Sequence, residues 1–285
     1  MDFNLTDDQK MIQNMTRDFA RKYISDGALL RDEEAAFSKD LFNKLAEQGI
    51  LGMIFPEKIG GGDADFLSFA LALEEIANFD ATLAYVMVVH SFICCRYISS
   101  NCNHDSTTNL LTEMVSGKKL CTLVLENSSV TMVKGEKKDD HYILSGLKKL
   151  VPFGECADMF LLFALTDSQK NPTEGISAFL IPSDTKGLSI QEKKGTLGFR
   201  SSAFADISLN DVKVPLENLV GELNTAYPAS IAINEESNLG FAAIACGISN
   251  AALQDSIRYS GERVQFGQPI RQFQAIRFML ADMQV

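Results

Sequence analysis

The chain has 285 residues, of which 46% are hydrophobic and 22% charged, and its formal net charge at pH 7 is −11. This composition is typical of a globular protein of about one to three domains. The acidic balance argues against nucleic-acid binding, which depends on clustered Lys and Arg side chains. No apolar run reaches the roughly 18 residues of a membrane helix, and the N-terminus lacks the basic leader and apolar core of a secretory signal. We therefore expect a cytoplasmic protein with no membrane span.

The six cysteines and three histidines are not spaced as metal ligands. No two cysteines form a C-x-x-C pair, and His90, His104 and His141 lie far apart along the chain. We therefore expect free thiols, as in a reducing compartment, and no metal site. His90 lies in an apolar stretch, which favours a buried core histidine over a catalytic one.

Residues 3–117 have the periodicity of helices. Thr6 and Gln9 are spaced as a capping box. Apolar residues then recur every three or four positions and predict one face of an amphipathic helix. These residues are Met11, Ile12, Met15, Phe19 and Tyr23. Residues 81–97 are apolar on most sides, which predicts a central buried helix. We assign residues 1–118 to an N-terminal helical domain.

From Cys121 the period changes from that of helices to that of strands. Short apolar or β-branched segments are separated by clusters of Gly, Asp, Asn, Ser and Pro. The predicted strands are residues 122–125, 141–145, 159–165, 176–181, 188–191 and 203–209. This run of short strands predicts a compact antiparallel barrel or sandwich, which we assign to a middle domain at residues 119–223.

The helical pattern returns after the strands. Residues 227–261 combine apolar positions with small residues that allow a neighbouring helix to approach closely. A break at residues 266–269 precedes another helix from Phe273, whose pattern continues to Val285 without a capping residue. We assign residues 224–285 to a C-terminal helical domain and expect it to be incomplete. With helices before and after a strand-rich middle, the predicted fold class is α+β.

Several strings, in chain order, resemble those of acyl-CoA dehydrogenases. They are PEKIGG at 56–61, LEEIA at 73–77, LGFRSS at 197–202, VKVPLENLVG at 212–221, ERVQFGQPI at 262–270 and FQAI at 273–276. The resemblance implies an N-terminal helical domain, a middle β-domain and the start of a C-terminal helical bundle. It also implies a homo- or hetero-oligomer, either a dimer or a tetramer.

The same resemblance implies a function. Members of the family bind FAD between the middle and C-terminal domains and oxidise an acyl thioester, carried by CoA or by a carrier protein, to the 2,3-enoyl thioester. A glutamate removes the α-proton and the flavin accepts the β-hydride, so the protein supplies orientation and a base while the cofactor carries the redox step. Electrons then pass to an electron-transfer flavoprotein. The implied enzyme class is an oxidoreductase that acts on CH–CH groups.

The catalytic base is not assigned by the resemblance. The usual glutamate lies in a segment beyond Val285, and some members carry it instead on the long C-terminal helix, at the position of Ser237. Glu236 is adjacent, although a shift of one residue rotates a helical side chain by about 100°. We name Glu236 as a candidate base, with a solvated helix-face carboxylate as the alternative, and place Ser237 and Asn238 at the substrate site.

The flavin loop implied by the resemblance is altered. In the family a T-E-P-x-x-G-S-D loop follows the first strand, and Val124, Leu125 and Glu126 occupy the start of that loop here. Glu126 matches, but the Thr and Pro do not, and the G-S-D is missing. These three residues are our candidates for flavin contacts from this loop.

The next flavin segment of the family, W-I-T, corresponds to Leu150, Val151 and Pro152. Pro152 has no N–H to give the flavin ring, and Leu150 cannot stack on it as tryptophan does. The preceding Lys148 and Lys149 are interpreted either as contacts to a CoA phosphate or as a solvated strand end.

By contrast, Arg263, Phe266 and Gln274 match the family segment that reaches the FAD of a neighbouring subunit, where an arginine suits the pyrophosphate. Three hypotheses follow. The first is an active FAD-dependent dehydrogenase of acyl thioesters. The second is a non-catalytic partner subunit that contributes flavin contacts across an interface, so that FAD is bound only with the partner. The third is a scaffold without a cofactor.

Overall fold

The structure, a computed structural model, describes residues 4–101, 105–124, 133–170 and 172–285. Its α-helices are α1 (Asp7–Phe19), α2 (Ala28–Glu34), α3 (Lys39–Glu47), α4 (Phe66–Ala77), α5 (Ala81–Met87), α6 (Arg96–Asn101), α7 (Asp105–Val115), α8 (Ala226–Glu262) and α9 (Gln274–Gln284). Its strands are β1 (Cys121–Val124), β2 (Lys134–Lys137), β3 (His141–Val151), β4 (Met159–Leu165), β5 (Ile176–Pro182), β6 (Leu188–Glu192), β7 (Ala205–Pro215), β8 (Leu219–Val220), β9 (Val264–Gln265) and β10 (Gln268–Pro269).

The predicted capping box begins the first helix. The Thr6 hydroxyl accepts from the Gln9 N–H at 3.2 Å, and the Gln9 side-chain oxygen accepts from the Thr6 N–H at 3.0 Å. The predicted apolar face of α1 was wrong in part, because Met11 and Met15 are 64% and 40% exposed. Polar bonds to α4 set the orientation instead: the Gln9 amide donates to Asp65, and the Arg17 guanidinium to Glu75.

The central buried helix is confirmed, but it is not α-helical throughout. Between α5 and α6 the backbone follows a π-helix, Val88–Cys95, whose residues are all buried. The whole 21-residue stretch Ala81–Asn101 is apolar enough to span a membrane by length and composition, although 83% of its most apolar window is buried inside the protein. Such burial is that of a core helix, since a membrane span would present its apolar surface to lipid.

Strands β1 to β8 form one sheet in the order β6-β7-β3-β2-β4-β5-β8, with β1 paired to β4, and β9 and β10 form a separate two-stranded sheet. The predicted strand-rich middle is confirmed, but of the predicted antiparallel barrel or sandwich a closed barrel is not formed. The sheet is open, with β6 and β8 at its two ends among the described strands. It is also mixed, because β1 and β2 both pair with β4 in parallel. Alternation along a strand reports which side is buried and not which strands pair, so closure could not be inferred from it.

The long helix α8 packs the C-terminal part of the described chain onto the N-terminal helices. Small residues bring it close to them, as predicted. A Cβ added at Gly247 would lie 2.4 Å from the Glu74 carbonyl oxygen of α4. One added at Gly240 would lie 2.8 Å from Val88 of the π-helix. Together α5, the π-helix, α8 and the end of β3 surround the site described next.

Candidate functional site

A cleft of about 230 Å³ lies where the N-terminal helices, the sheet and α8 meet. One wall is formed by the central helix and the opposite wall by the end of β3 and the turn after it. Helix α8 provides the third side. The lining residues are Tyr85, Val89, Ile93, Leu123, Lys148, Lys149, Leu150, Val151, Pro152, Asn234 and Phe241.

Tyr85 of α5 is the aromatic centre of this region. Its ring centroid lies 5.0 Å from that of Phe199, 5.3 Å from that of Phe153 and 6.1 Å from that of Phe241. These distances are those of favourable aromatic pairs. Burial raises the pKa of Tyr85 to about 12, so the phenol stays neutral near pH 7. Tyr85 and Phe241 were not found from the sequence, although the apolar i, i+4 spacing of Tyr85, Val89 and Ile93 was visible in it.

Residues 150–152, the predicted flavin segment, form part of the wall of this cleft. Two of their backbone polar groups already have partners in the protein. The Leu150 N–H donates to Asp206 Oδ1 at 3.0 Å, and the Pro152 carbonyl accepts from the Thr122 hydroxyl. Leu150 and the following Phe153 both have φ of 55°, a left-handed conformation that is uncommon outside glycine. Such strain is found at functional sites when the surroundings enforce it.

These residues do not fit a flavin ring held by backbone hydrogen bonds. Pro152 has no N–H, and the Leu150 N–H is used by Asp206. The volume is also below the roughly 300–1,000 Å³ of clefts that enclose drug-sized ligands. The cleft therefore fits an acyl group better than an acyl group together with a flavin. Of the predicted flavin loop, Val124 is buried at the end of β1, whereas Leu125 and Glu126 lie outside the described residues.

Lys148 and Lys149 have different environments. Lys148 is only 4% exposed and lines the cleft; it is paired with the buried Ile207 of β7, which places both side chains on the covered face of the sheet. Lys149 is exposed. The interpretation as a solvated strand end therefore holds for Lys149 and is wrong for Lys148.

The candidate base Glu236 lies in an ion pair on α8. Its carboxylate is 2.6 Å from the guanidinium of Arg96, and Arg96 in turn stacks on the ring of Phe66 at 4.1 Å. Among the described residues that line the cleft, α8 contributes Asn234 and Phe241 and not Glu236.

The predicted substrate residues Ser237 and Asn238 follow Glu236. Ser237 is fully buried, and its hydroxyl donates to the Asn234 carbonyl of its own helix at 2.7 Å. Asn238 is exposed. Asn234, one turn earlier, is the polar α8 residue that reaches the cleft, and sequence reasoning missed it.

Arg263, Phe266 and Gln274 lie outside the cleft, on an exposed projection. Strands β9 and β10 form a two-residue hairpin whose turn, Phe266 and Gly267, has φ of 51° and 82°. This is the conformation of a type I′ turn. Phe266 is 92% exposed, and Arg263 and Gln274 are exposed beside the hairpin at the end of α8 and the start of α9. The hairpin thus presents this set outward rather than toward the chain's own cleft.

Models of the acyl-CoA dehydrogenase family match along the chain. The N-terminal domain matches residues 6–118, the middle domain residues 110–212 and the C-terminal domain residues 235–285.

Individual proteins agree with these models. The short-chain-specific acyl-CoA dehydrogenase of Megasphaera elsdenii is 36% identical, and the match covers 100% of this chain and 77% of that protein. The solved butyryl-CoA dehydrogenase of Megasphaera elsdenii has a TM-score of 0.94 at 35% identity, over 100% of this chain and 76% of that one. A subunit of the caffeyl-CoA reductase–Etf complex of Acetobacterium woodii is 30% identical, over 98% of this chain and 75% of that protein. From its first helix to α9, this chain belongs to the acyl-CoA dehydrogenase family.

Proposed function

We propose that the chain binds an acyl thioester, carried by CoA or a carrier protein, and takes part in its FAD-dependent oxidation to the 2,3-enoyl thioester. The observation that carries this proposal is the cleft between the central helix, α8 and residues 150–152. It joins apolar walls from Val89, Ile93 and Phe241 to a side that holds Lys148 and Lys149. An acyl chain suits such walls, and ammonium groups suit the phosphates of its carrier.

The absorption spectrum of the purified protein tests this proposal. If this chain itself holds the flavin, through contacts other than the backbone of residues 150–152, the purified protein should show the visible bands of an oxidised flavin, and butyryl-CoA added without oxygen should bleach them. A flavin spectrum that no acyl-CoA alters would contradict oxidation of acyl thioesters by this chain. Acetyl-CoA is the control, because its acyl group has no β-carbon from which a hydride could leave.

A second candidate, a partner subunit without its own flavin, is favoured by the occupied backbone groups at Leu150 and Pro152. In this arrangement the exposed Arg263, Phe266 and Gln274 contact FAD held by a companion chain. The protein would then be colourless alone and would become yellow only when co-expressed with a neighbouring homologue. If the protein is colourless both alone and after co-expression, the scaffold without a cofactor is the hypothesis that is left.

Assembly and location are part of the same proposal. We infer a dimer or tetramer, of identical or different chains, with an electron-transfer flavoprotein as redox partner. The Etf complex to which the Acetobacterium woodii relative belongs supports this choice of partner. We also place the protein in the cytoplasm, which the free thiols of Cys94, Cys95 and Cys121 support.

A further inference from the structure

We propose that Asp206 completes one wall of the cleft from within the chain, so that the cleft binds an acyl thioester without a flavin. This inference rests on the proposed function, because it assumes that the cleft between α5, α8 and β3 is the acyl site. It adds that the site is already formed in the flavin-free protein. It also assigns a positioning role to one carboxylate, which the family resemblance does not identify.

The first support is a bulge in the pairing of β3 with β7. Residues 149–150 of β3 lie opposite the single residue Asp206, between regular pairs on either side. An extra residue of this kind is left without a partner in the ladder. Here the Leu150 N–H donates to Asp206 Oδ1 at 3.0 Å. The carboxylate therefore takes the place of the strand partner that the bulge removes.

The second support is that Asp206 is itself held in position. It pairs with Gln191 of β6 on the other side of β7. Its side chain is 15% exposed, and its second oxygen lies 3.8 Å from the ammonium nitrogen of Lys193. Hydrogen bonds from a backbone N–H to an ionised carboxylate are stronger than those between neutral groups. Asp206 is thus a firm acceptor for the N–H at the bulge.

The third support is the set of bonds that holds the turn after β3. Phe153 has φ of 55°, a conformation that persists only where the surroundings enforce it. Its N–H donates to the Ser202 carbonyl at 2.7 Å. The Thr122 hydroxyl donates to the Pro152 carbonyl. Because Thr122 and Ser202 are both fully buried, other segments of the chain hold this wall of the cleft from behind.

The turn also packs against the opposite wall. The ring of Phe153 lies 5.3 Å from that of Tyr85 on the central helix, where Val89 and Ile93 are 2% and 7% exposed. Both walls therefore have partners inside the protein before any ligand enters. A preorganised site loses little conformational freedom on binding, so we expect an acyl thioester to bind without a cofactor to order the cleft.

Calorimetric titration of the full chain with butyryl-CoA tests the inference. Any bound flavin is removed with a chaotropic salt, its loss is checked by visible absorbance, and the fold is checked by circular dichroism. We expect the flavin-free protein to stay folded and to bind butyryl-CoA at least as tightly as it does with excess FAD. Loss of the fold when flavin is removed would overturn the inference, because the wall would then depend on the cofactor.

Two substitutions at one position test the role of Asp206. Asp206→Ala removes the acceptor and should weaken butyryl-CoA binding about tenfold, because a buried N–H without a partner is costly. Asp206→Asn keeps an oxygen acceptor without the charge and should bind as the natural chain does. Unchanged binding by Asp206→Ala, or equal loss in both variants, would overturn the role of this hydrogen bond. If Asp206→Ala does not fold, Asp206→Leu, which also lacks an acceptor, replaces it.

The titration also separates this inference from the proposed function. Binding of butyryl-CoA only when FAD is added would overturn the inference and leave the proposed function standing. Absence of binding by the natural chain, with and without FAD, would refute the acyl site itself and this inference with it.

Discussion

His90 shows how a polar side chain is accommodated at the centre of the helical core. The imidazole is fully buried in the π-helix and meets the ring of Phe42 edge-on at 5.3 Å. Its Nδ1 accepts from the Cys121 N–H at 3.0 Å, which requires the tautomer in which Nε2–H donates to the Met114 carbonyl at 3.0 Å. One side chain thus joins the central helix to the end of α7 and the start of β1, as a satisfied core histidine and not a catalyst.

Protonation of His90 should make the protein less stable in mild acid. Burial lowers its pKa from 6.5 to about 4 in the folded protein. Between these values the unfolded chain binds a proton that the folded chain does not, so the free energy of unfolding falls as the pH falls from 6.5 to 4. The contribution of this residue over that window is about 3 kcal/mol at most. Urea unfolding at a series of pH values measures it.

His90→Gln is the variant that isolates this effect from the titration of carboxylates. It should be less stable than the natural protein at pH 7, by about 1–3 kcal/mol, because a buried backbone group loses its partner. Its stability should then decline less between pH 6.5 and 4. If the free energy of unfolding falls with pH in parallel for the natural protein and His90→Gln, His90 does not bind the extra proton on unfolding.

The sequence correctly predicted that His90 is a polar residue of the core, but it did not predict the surroundings of Glu236 and Lys148 near the cleft. His90 was recognisable because, with the adjacent Ser91, it interrupts an otherwise apolar stretch. Glu236 was not, because its partner Arg96 lies far away in the sequence and only the packing of α6 on α8 brings the pair to 2.6 Å. For the same reason the exposure of Lys148 could not be read from its position at the end of a strand.

At the level of elements, the close contact between α4 and α8 depends on the absence of a side chain at Gly247. Gly247 allows α8 to approach the backbone of α4 at Glu74, and the Cβ of Ala77 would lie 2.8 Å from an added methyl group. This contact packs α8 against the N-terminal helices, and it therefore sets the position of Asn234 and Phe241 of α8 at the cleft. The direction of α8 is therefore fixed at some distance from the site that it lines.

Gly247→Ala should destabilise the protein although alanine is the better helix former. The intrinsic gain is about 1 kcal/mol, but a contact of 2.4 Å with a carbonyl oxygen of α4 forces the helices apart. We expect a net loss of about 1–3 kcal/mol, typical of an overpacked core. Thermal unfolding followed by circular dichroism would measure this difference.

Gly261→Ala is the matched control in the same helix. There the added Cβ would meet only the guanidinium of Arg271, which can move away. This variant should be as stable as the natural protein or slightly more so. Equal effects of the two substitutions would mean that the close approach at Gly247 is not what opposes a side chain.

Local sequence patterns predicted whether most elements are helices or strands. The bounds of a strand that depend on its pairing with another strand were not predictable from them. The continuous apolar run of residues 159–165 gave the bounds of β4 correctly. The prediction for β3 ended at Ser145, whereas the strand continues to Val151. The prediction stopped too early because register shifts after Leu144 and Lys148 interrupt the alternation of buried and exposed side chains. Such shifts arise from the pairing with β7, which the sequence of β3 alone does not contain.

In the molecule as a whole, the cleft and the exposed hairpin of β9 and β10 are separate features. The cleft is lined by the chain's own helices and strands, while Phe266 projects into solvent with its ring 6.1 Å from that of Phe273. The Phe266 ring, on a turn that projects from the chain, is accessible to a partner chain. This separation is the reason for keeping the partner-subunit candidate beside the dehydrogenase.

Arg263→Ala should weaken flavin retention in a complex of this chain with a neighbouring homologue. A charge-assisted hydrogen bond contributes about 1.5–3 kcal/mol, so its loss should weaken flavin binding about tenfold or more. The flavin-to-protein absorbance ratio of the purified complex measures it. Arg277→Ala, which removes another exposed arginine of the same region, is the control and should leave the ratio unchanged. Equal flavin content in both variants would exclude this hairpin from the flavin site.

The candidate site was harder to predict than the fold because its walls come from distant parts of the chain. Leu150, Val151 and Pro152 were identified through the family resemblance, and they do line the cleft. Tyr85 and Phe241 face them from helices that only the assembled domains bring near. None of the strings that revealed the family contains a residue that lines the cleft, so they reported the architecture more directly than the lining of the pocket.

The π-helical turn of the central helix also constrains how this sequence can change. Because the Arg96 N–H bonds to the Ser91 carbonyl, five residues back, Val88–Cys95 holds an extra residue compared with a regular α-helical path. Deleting one residue there would let the usual i→i−4 ladder run through the segment, with the chain on either side kept in nearly the same orientation. Arg96 would then still meet Glu236 while Tyr85 still faced the cleft. A change of one residue in length between related chains should therefore be tolerated at this turn, whereas elsewhere in the central helix it would turn every later side chain by about 100°.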